Sequence, residues 1–366
     1  MVSIWRFLTF YSLLDHFHLL CQFCAVIRNQ PQKVDMELPL RKDLRPKSGE
    51  PEDSAWIWGS DDELGRLNLQ TPERVKKALE AVISGETIAL NLPFDQPVPP
   101  CYGRQTFKHL ITPKGVSHTF DDSYEMNPQS TSQWDGFRHF AHVPSGYFYN
   151  GTKPEEISGP NATTKIGMQA WAARGIAGRG ILLDYGRYAE ANNIKPIFYD
   201  NYEITYKDLV TVAKTQGIDL RPAAQGGDVQ IGDILVVRSG FLKNANSLTD
   251  EERAPYQSKP HQFGPHDGQR YIGVEQSEEM LDFLHDSYFS AVAGDHPAFE
   301  SWPSHKDYYL HEKLLSLWGC PIGELWDLEK LGEKCAERKS WTFFLASTPN
   351  NVKGGIGSTA NVLAIV

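Results

Sequence analysis

The chain has 366 residues, 40% of them hydrophobic, which is enough apolar material for a sizeable folded core. A formal net charge of −10 without any cluster of Lys and Arg excludes general nucleic-acid binding, because phosphate contacts need a basic surface, and favours small-molecule partners. Five scattered cysteines exclude a disulfide framework.

The first fifty residues are the least regular part of the sequence. The stretch from Ile4 to Ile27 is rich in Leu, Phe and Trp, but Arg6 and Asp15 interrupt it, and a charge at the bilayer centre costs about 2.5–3.5 kcal/mol. We therefore predict a loosely ordered extension and linker over residues 1–50, a catalytic domain over residues 51–366, and no membrane association. The expected location is cytoplasmic. A signal peptide or anchor in the apolar stretch is the alternative, although the residues after it are not the small ones that a cleavage site needs.

Helices and strands are predicted in alternation along the rest of the chain. Thr71 and Pro72 begin a helix that Gly85 ends, and Thr205 begins another that ends at Gly217. Further helical segments are predicted over residues 167–173 and 308–317, strands over residues 87–92, 181–183, 234–237, 290–294 and 342–345, and a proline-rich loop over residues 93–123 that could cover a site. Alternation without a regular repeat favours an α/β fold.

The stretch from Gln129 to His142 combines amides, a carboxylate, a guanidinium and imidazoles with bulky aromatic residues. In an extended segment, residues two apart lie on one face, so Gln129, Gln133, Asp135 and His139 could point into one cleft. Asp135 offers a hard anionic oxygen, and His139 offers a nitrogen that can transfer protons near neutral pH. Gly136 would let the backbone bend or approach a neighbour closely. The alternative is a surface turn in which Asp135 caps a local amide and the aromatic residues are core.

A second polar region lies in the last third of the chain. Asp295 and His296 follow the predicted strand over residues 290–294 at its carboxyl end, where active-site groups of α/β sheets are common. His311 lies in the following helical segment, and packing beside Trp318 is the simpler interpretation of this residue. Glu324 lies thirteen residues later, and this second polar residue favours a functional role for His311 as the alternative.

The stretch around Asp135 resembles the signature of the cyclase family, which includes arylformamidases, isatin hydrolases and enzymes named as polyketide cyclases. That signature reads His-x-Gly-Thr-His-x-Asp-x-Pro-x-His. Aligned without gaps, its Asp falls on Asp135 and its last His on His139, whereas its two metal-binding His positions fall on Gln129 and Gln133 and its Pro on Phe137. The Gln-Trp-Asp-Gly form resembles a divergent branch of the family that is often seen in fungi.

The resemblance also implies a site. The family has a metal-binding His and, about a dozen residues later, a metal-binding Glu, and these positions correspond to His311 and Glu324. Together with Asp135, and with Gln133 as an additional oxygen ligand, they would bind one zinc or manganese ion. His139 would be the catalytic residue, and Trp134, Phe137 and Arg138 are assigned to substrate binding. The implied fold is a compact single domain with a mixed, barrel-like β/β/α (swivelling) sheet, commonly assembled as a homodimer or homotetramer.

The resulting prediction is a metal-dependent hydrolase of a cyclic or aryl amide or ester, similar to an arylformamidase or isatin hydrolase, acting on a small aromatic metabolite. Two alternatives remain open. One is a cyclase, lyase or dehydratase acting on a polyketide-like compound of secondary metabolism, because amides at two ligand positions permit changed chemistry. The other is a metal-free binding protein that retains the fold.

Overall fold

A computed structural model describes residues 38–115 and 118–366, and residues Leu40–Val366 form one compact unit. Most of the predicted extension, including the apolar stretch from Ile4 to Ile27, lies outside the described residues, so the division of the chain at residue 50 stays a prediction. Within the described part of the chain, no helix is both long and apolar enough to cross a membrane.

The compact unit is built on a strongly curled, mixed sheet of nine strands that forms a half-barrel. The predicted α/β fold with a barrel-like sheet is thereby confirmed. From one edge to the other, the strands run in the order β1 (Thr87–Ala89), β13 (Val362–Ile365), β11 (Thr342–Ser347), β5 (Ile176–Asp184), β7 (Ile234–Arg238), β9 (Ala291–Gly294), β10 (Ile322–Glu324), β4 (Gln133–Asp135) and β12 (Gly357–Thr359). Two separate pairs are β2 (Lys108–Lys114) with β3 (Thr119–Glu125), and β6 (Glu203–Ile204) with β8 (Gly273–Val274).

The centre of the sheet is parallel and the two sides are antiparallel. Strands β5, β7, β9 and β10 pair in parallel, and every residue of β7 and β9 is buried. Continuous apolar runs such as the one in β7 are typical of parallel strands that are covered on both faces. On the far side, β10, β4 and β12 pair antiparallel, and this three-stranded region carries the polar residues of the signature.

Nine α-helices are described, and most of them lie between strands. They are α1 (Pro72–Ala78), α2 (Pro154–Ile157), α3 (Met168–Arg174), α4 (Tyr185–Ala191), α5 (Tyr206–Gln216), α6 (Phe241–Ser247), α7 (Asp250–Gln257), α8 (Glu278–Asp286) and α9 (Glu329–Arg338). The predicted capping box at the start of α5 is present, with reciprocal hydrogen bonds between Thr205 and Asp208. Gly217, in the left-handed conformation, ends that helix as predicted.

Three sequence-based predictions of secondary structure need correction. The first helix ends at Ala78 rather than near Gly85, and Ile83 is exposed, so the apolar stripe does not extend that far. The predicted loop over residues 93–123 contains the β2–β3 hairpin, in which Pro113 is tolerated because the ribbon is exposed on both sides. The helical segment after His311 is a π-helix, Glu312–Leu317, an irregularity frequent at functional sites.

Replacing Gly136 by alanine tests how closely the backbone segments approach at the end of β4. A Cβ atom there would lie 2.5 Å from the carbonyl oxygen of Ile356 and 2.7 Å from Sδ of Met168. We expect Gly136→Ala to lower the free energy of unfolding by about 1–3 kcal/mol, the usual cost of overpacking, as measured by urea denaturation. Gly178→Ala is the matched control, because its Cβ would first meet the flexible end of Gln70, 3.3 Å away. Equal losses for both variants would contradict this packing.

Candidate metal centre

The antiparallel pairing of β4 with β10 places two acidic residues side by side. Gln133 and Asp135 lie two apart on β4, and Gln133 is directly opposite Glu324 in the register. Asp135 and Glu324 are both buried, with relative exposures of 0% and 1%. The pairing therefore brings two carboxylates from segments almost 190 residues apart to the same face of the sheet.

Two histidines complete this cluster. Nε2 of His311 lies 3.1 Å from Oε1 of Glu324 and 3.6 Å from Oδ2 of Asp135. Nε2 of His139 lies 3.9 Å from the same Asp135 oxygen. The structure thus brings together the four residues that the sequence singled out from three separate segments. His296, by contrast, is buried outside this cluster and its ring nitrogens have no hydrogen-bond partner among the described residues.

The two glutamines at the signature's histidine positions hold the carboxylates by hydrogen bonds. Nε2 of Gln129 donates to Oδ1 of Asp135 at 2.5 Å and lies 3.1 Å from Nδ1 of His139. Nε2 of Gln133 donates to Oε2 of Glu324 at 2.5 Å, and its Oε1 accepts from Arg104 at 3.2 Å. Since the oxygen is the ligating atom of an amide, this arrangement favours a hydrogen-bonding role for Gln133 over the predicted metal ligation.

Burial and mutual charge shift the pKa values in the cluster. Loss of solvation lowers the pKa of His139 to about 4, against the opposing effect of Asp135, so its imidazole is neutral at pH 7. Burial and the charge of Asp135 raise the pKa of Glu324. For Asp135, burial acts to raise the pKa, but His139 and His311 outweigh it and lower the pKa, which keeps Asp135 ionised.

The cluster has the properties of a cation site. Oδ2 of Asp135 is fully buried and has no hydrogen-bond partner within the described chain, which is costly for a charged oxygen. One potential ligand atom from each of Asp135, His139 and His311 lies within 4.8 Å of the others. Nitrogen and carboxylate ligands suit zinc or manganese. Asp135 and His311, with Glu324 beside them, therefore fit a divalent ion, and the imidazole of His139 lies next to that position.

Glu300 is part of this site and was missed by the sequence analysis. Its Oε1 accepts from Nδ1 of His311 at 2.7 Å and from the His311 backbone N–H at 2.9 Å, while Oε2 accepts from Gln276 at 2.8 Å. Because Nδ1 donates to a carboxylate, Nε2 of His311 is directed towards Asp135 and Glu324. Burial acts to lower the pKa of this imidazole, but the carboxylates of Asp135, Glu300 and Glu324 outweigh it and raise the pKa well above its usual value. No local spacing reveals this contact, since Glu300 precedes the helical segment and lies outside every recognisable motif.

The cluster opens into a cavity of about 450 Å³. Four of its thirteen lining residues are Phe, Tyr or Trp and three are His, and the others are apolar except Arg104 and Glu324. Only His139, His311 and Glu324 of this lining were predicted from sequence. The lining residues are Tyr102, Arg104, His139, Phe140, Ala141, Val143, His261, Phe263, Pro297, Ala298, Trp302, His311 and Glu324.

The three residues predicted to bind substrate do not line this cavity, and their role stays a prediction. Trp134 alternates with Gln133 and Asp135 along β4, so its side chain packs on the other face, and its Nε1 donates to Ser347. Phe137 is fully buried between other aromatic rings. Arg138 is also buried, and its guanidinium donates to four backbone carbonyls of residues 156–165. All three side chains make contacts within the fold that hold the segment carrying the cluster.

One protein family and several solved structures are similar to this chain. The model of the Cyclase family, described as "Putative cyclase", matches residues 88–301, more than half of the chain. A comparison with curated protein sequences finds no match.

Among solved structures, the chain is similar to one described as a novel cyclase, with 27% identity over 86% of this chain and 99% of that chain and a TM-score of 0.71. It is less similar to isatin hydrolase A of Labrenzia aggregata bound to benzyl benzoate, with 15% identity over 80% of this chain and 98% of that chain and a TM-score of 0.49. It is similarly related to isatin hydrolase A of Ralstonia solanacearum, with 13% identity over 76% of this chain and 91% of that chain and a TM-score of 0.49. The family match, together with the shared fold of the novel cyclase, shows that this chain belongs to the Cyclase family.

Proposed function

We propose that this protein is a metal-dependent hydrolase that cleaves an amide or ester bond of a small aromatic compound. The observation that carries the proposal is the buried Oδ2 of Asp135, which accepts no hydrogen bond from the residues that the structure describes and lies 3.6 Å and 3.9 Å from the imidazole nitrogens of His311 and His139 at the cavity. Membership of the Cyclase family supports an enzymatic function.

Asp135, His311 and Glu324 are the residues proposed to hold the ion. Two carboxylates this close in a buried site repel each other, and a divalent cation would offset both the repulsion and the loss of hydration. When bound, zinc or manganese would polarise a substrate carbonyl and lower the pKa of a water molecule towards neutrality. The aromatic walls of the cavity would bind the flat part of the substrate and exclude bulk water.

His139 is proposed to carry the proton from the attacking water to the leaving nitrogen or oxygen. A pKa of about 4 keeps the ring neutral, so that one nitrogen has a lone pair available at pH 7. If Nε2 of His139 is the nitrogen that takes the proton, Nδ1 must carry the ring hydrogen. Nδ1 would then donate a hydrogen bond to the amide oxygen of Gln129. Nε2 of Gln129 donates to Oδ1 of Asp135 and faces Nδ1 of His139, so this tautomer requires the Gln129 amide to be turned over.

The roles of Asp135 and His139 are separable by substitution. We expect His139→Ala to retain bound metal but to lose about 10²–10⁴-fold in turnover, the usual contribution of a general acid–base residue. Asp135→Ala should lose both metal and turnover. Metal content is measured by mass spectrometry of the purified protein, and turnover is measured on formanilides, lactones and cyclic amides.

The control for these variants is His142→Ala, which removes an imidazole from the same segment; His142 contacts Ser145 and does not line the cavity. Full activity after removal of the metal by a chelator would contradict the proposal. A ring-closed or dehydrated product, formed without uptake of water, would instead support the lyase or cyclase alternative.

Glu300 should control metal affinity without touching the ion. We expect Glu300→Gln to weaken metal binding about 10–100-fold, because partners that orient a ligating histidine typically contribute this much. The matched control is Glu312→Gln, another buried carboxylate, which accepts hydrogen bonds from the backbone of Val143 and Tyr309 but from no residue of the cluster. Competition with a fluorescent chelator gives both affinities. Equal loss in the two variants would show that general destabilisation, and not the orientation of His311, is responsible.

A further inference from the structure

A second histidine–aspartate pair lies in the wall of the same cavity. His261 lines the cavity together with His139 and His311, and its side chain is 32% exposed. It makes no hydrogen bond to the residues of the metal centre. The ring of Trp302 lies between the two regions, with its centroid 6.4 Å from that of His261 and 6.3 Å from that of His311.

A hydrogen bond to Asp267 orients the ring of His261. Oδ2 of Asp267 accepts from Nδ1 of His261 at 2.6 Å and from Nε1 of Trp302 at 2.8 Å, while Oδ1 accepts from the backbone N–H of Gln269 at 3.0 Å. Asp267 is buried, at 1% exposure, and a carboxylate with this many donors can only accept. Nδ1 therefore carries a hydrogen, and in the neutral form of the ring Nε2 is the acceptor. The lone pair of Nε2 points away from Asp267, and no described residue donates to it.

The wall around His261 is rigid. Tyr102, whose ring centroid lies 5.0 Å from that of His261, has a backbone φ of +60°, a conformation that a bulky residue adopts only when its surroundings enforce it. Its N–H donates to Oε1 of Gln269 at 2.7 Å, and Nε2 of Gln269 donates to the carbonyl of Lys259 at 2.9 Å. Gln269 thus ties the Tyr102 segment to the segment that carries His261, so that the imidazole has a fixed direction.

We propose that Nε2 of His261 accepts a hydrogen bond from an O–H or N–H group of the substrate, on the part remote from the bond that is cleaved. This inference rests on the proposed function and specifies its substrate class. The preferred compounds are aryl amides or esters whose aromatic ring carries a hydroxyl or amino group. His261 is then a specificity-determining residue, and Asp267 is a positioning residue that keeps Nε2 an acceptor.

The test compares three substrates that differ only in the ring substituent: hydrogen, hydroxyl or methoxy. The metal-loaded wild-type protein should prefer the hydroxyl compound by about 5- to 10-fold in kcat/KM, the effect of one hydrogen bond. His261→Phe keeps a flat ring beside Tyr102 and should lose this preference through KM, with kcat nearly unchanged. A hydroxyl preference that survives in His261→Phe, or a wild-type preference for a carboxylate substituent, would overturn the proposal.

Asp267→Asn gives a readout that a purely structural role would not produce. Both oxygens of Asp267 face donors, so an asparagine NH2 would meet either the Trp302 and His261 side or the backbone N–H of Gln269, and the side chain could no longer fix His261 in one tautomer. The hydroxyl preference should then fall towards that of His261→Phe, with KM for the unsubstituted compound unchanged. His109→Phe is the matched control: His109 pairs with Asp122 at 3.0 Å on the exposed β2–β3 hairpin and lines no part of the cavity.

The failure of this inference is distinguishable from failure of the proposed function. If the metal-loaded wild-type protein hydrolyses none of the compounds, the hydrolase proposal fails, and calorimetric affinities of the corresponding aryl ketones, which have no bond to hydrolyse, still test His261. Tighter binding of the hydroxylated ketone, lost in His261→Phe, supports the subsite. Equal binding of the hydroxylated and unsubstituted ketones overturns it.

Discussion

The buried negative charge of Asp135 is the constraint on which the rest of the site depends. A carboxylate without solvent and with one oxygen unpaired is unfavourable by itself, and Glu324 beside it adds repulsion. The chain offsets part of this cost with two imidazoles and two glutamine amides, which surround the acids. Such an arrangement makes the pair of acids a place where a divalent cation is stabilising.

The fold provides this arrangement through a few precise contacts. The pairing of β4 with β10 sets the two acids side by side, and β12 closes the other edge of β4. Gly357 on β12 leaves room for Gln129, because a Cβ atom there would lie 2.7 Å from its Cγ. The cavity then has two distinct regions of wall. One holds the charged cluster, and the other holds His261 in a fixed orientation, so that chemistry and recognition act on different parts of a bound molecule.

Some residues of this site are indicated by residue spacing within a short stretch of sequence, and others are not. Gln133 and Asp135 were placed on one face from strand periodicity, and the same periodicity puts Trp134 on the opposite face. His311 and Glu324 carry no local signal and were identified only by resemblance to the family. Three further residues act through contacts between segments far apart in sequence, and residue spacing cannot reveal such contacts. They are Arg104, His261 and Glu300. The homodimer or homotetramer, the cytoplasmic location and the identity of the ion stay predictions.

The most direct test of the central claim is an anomalous-scattering map of crystals grown with zinc or manganese. The electrostatics of the cluster predicts one strong peak within about 2.0–2.3 Å of ligand atoms of Asp135, His311 and Glu324, the range of bond lengths for such ions. A protein that crystallises with either ion in excess and shows no peak in this cluster would contradict the account, because the buried acids would then be stable without a cation.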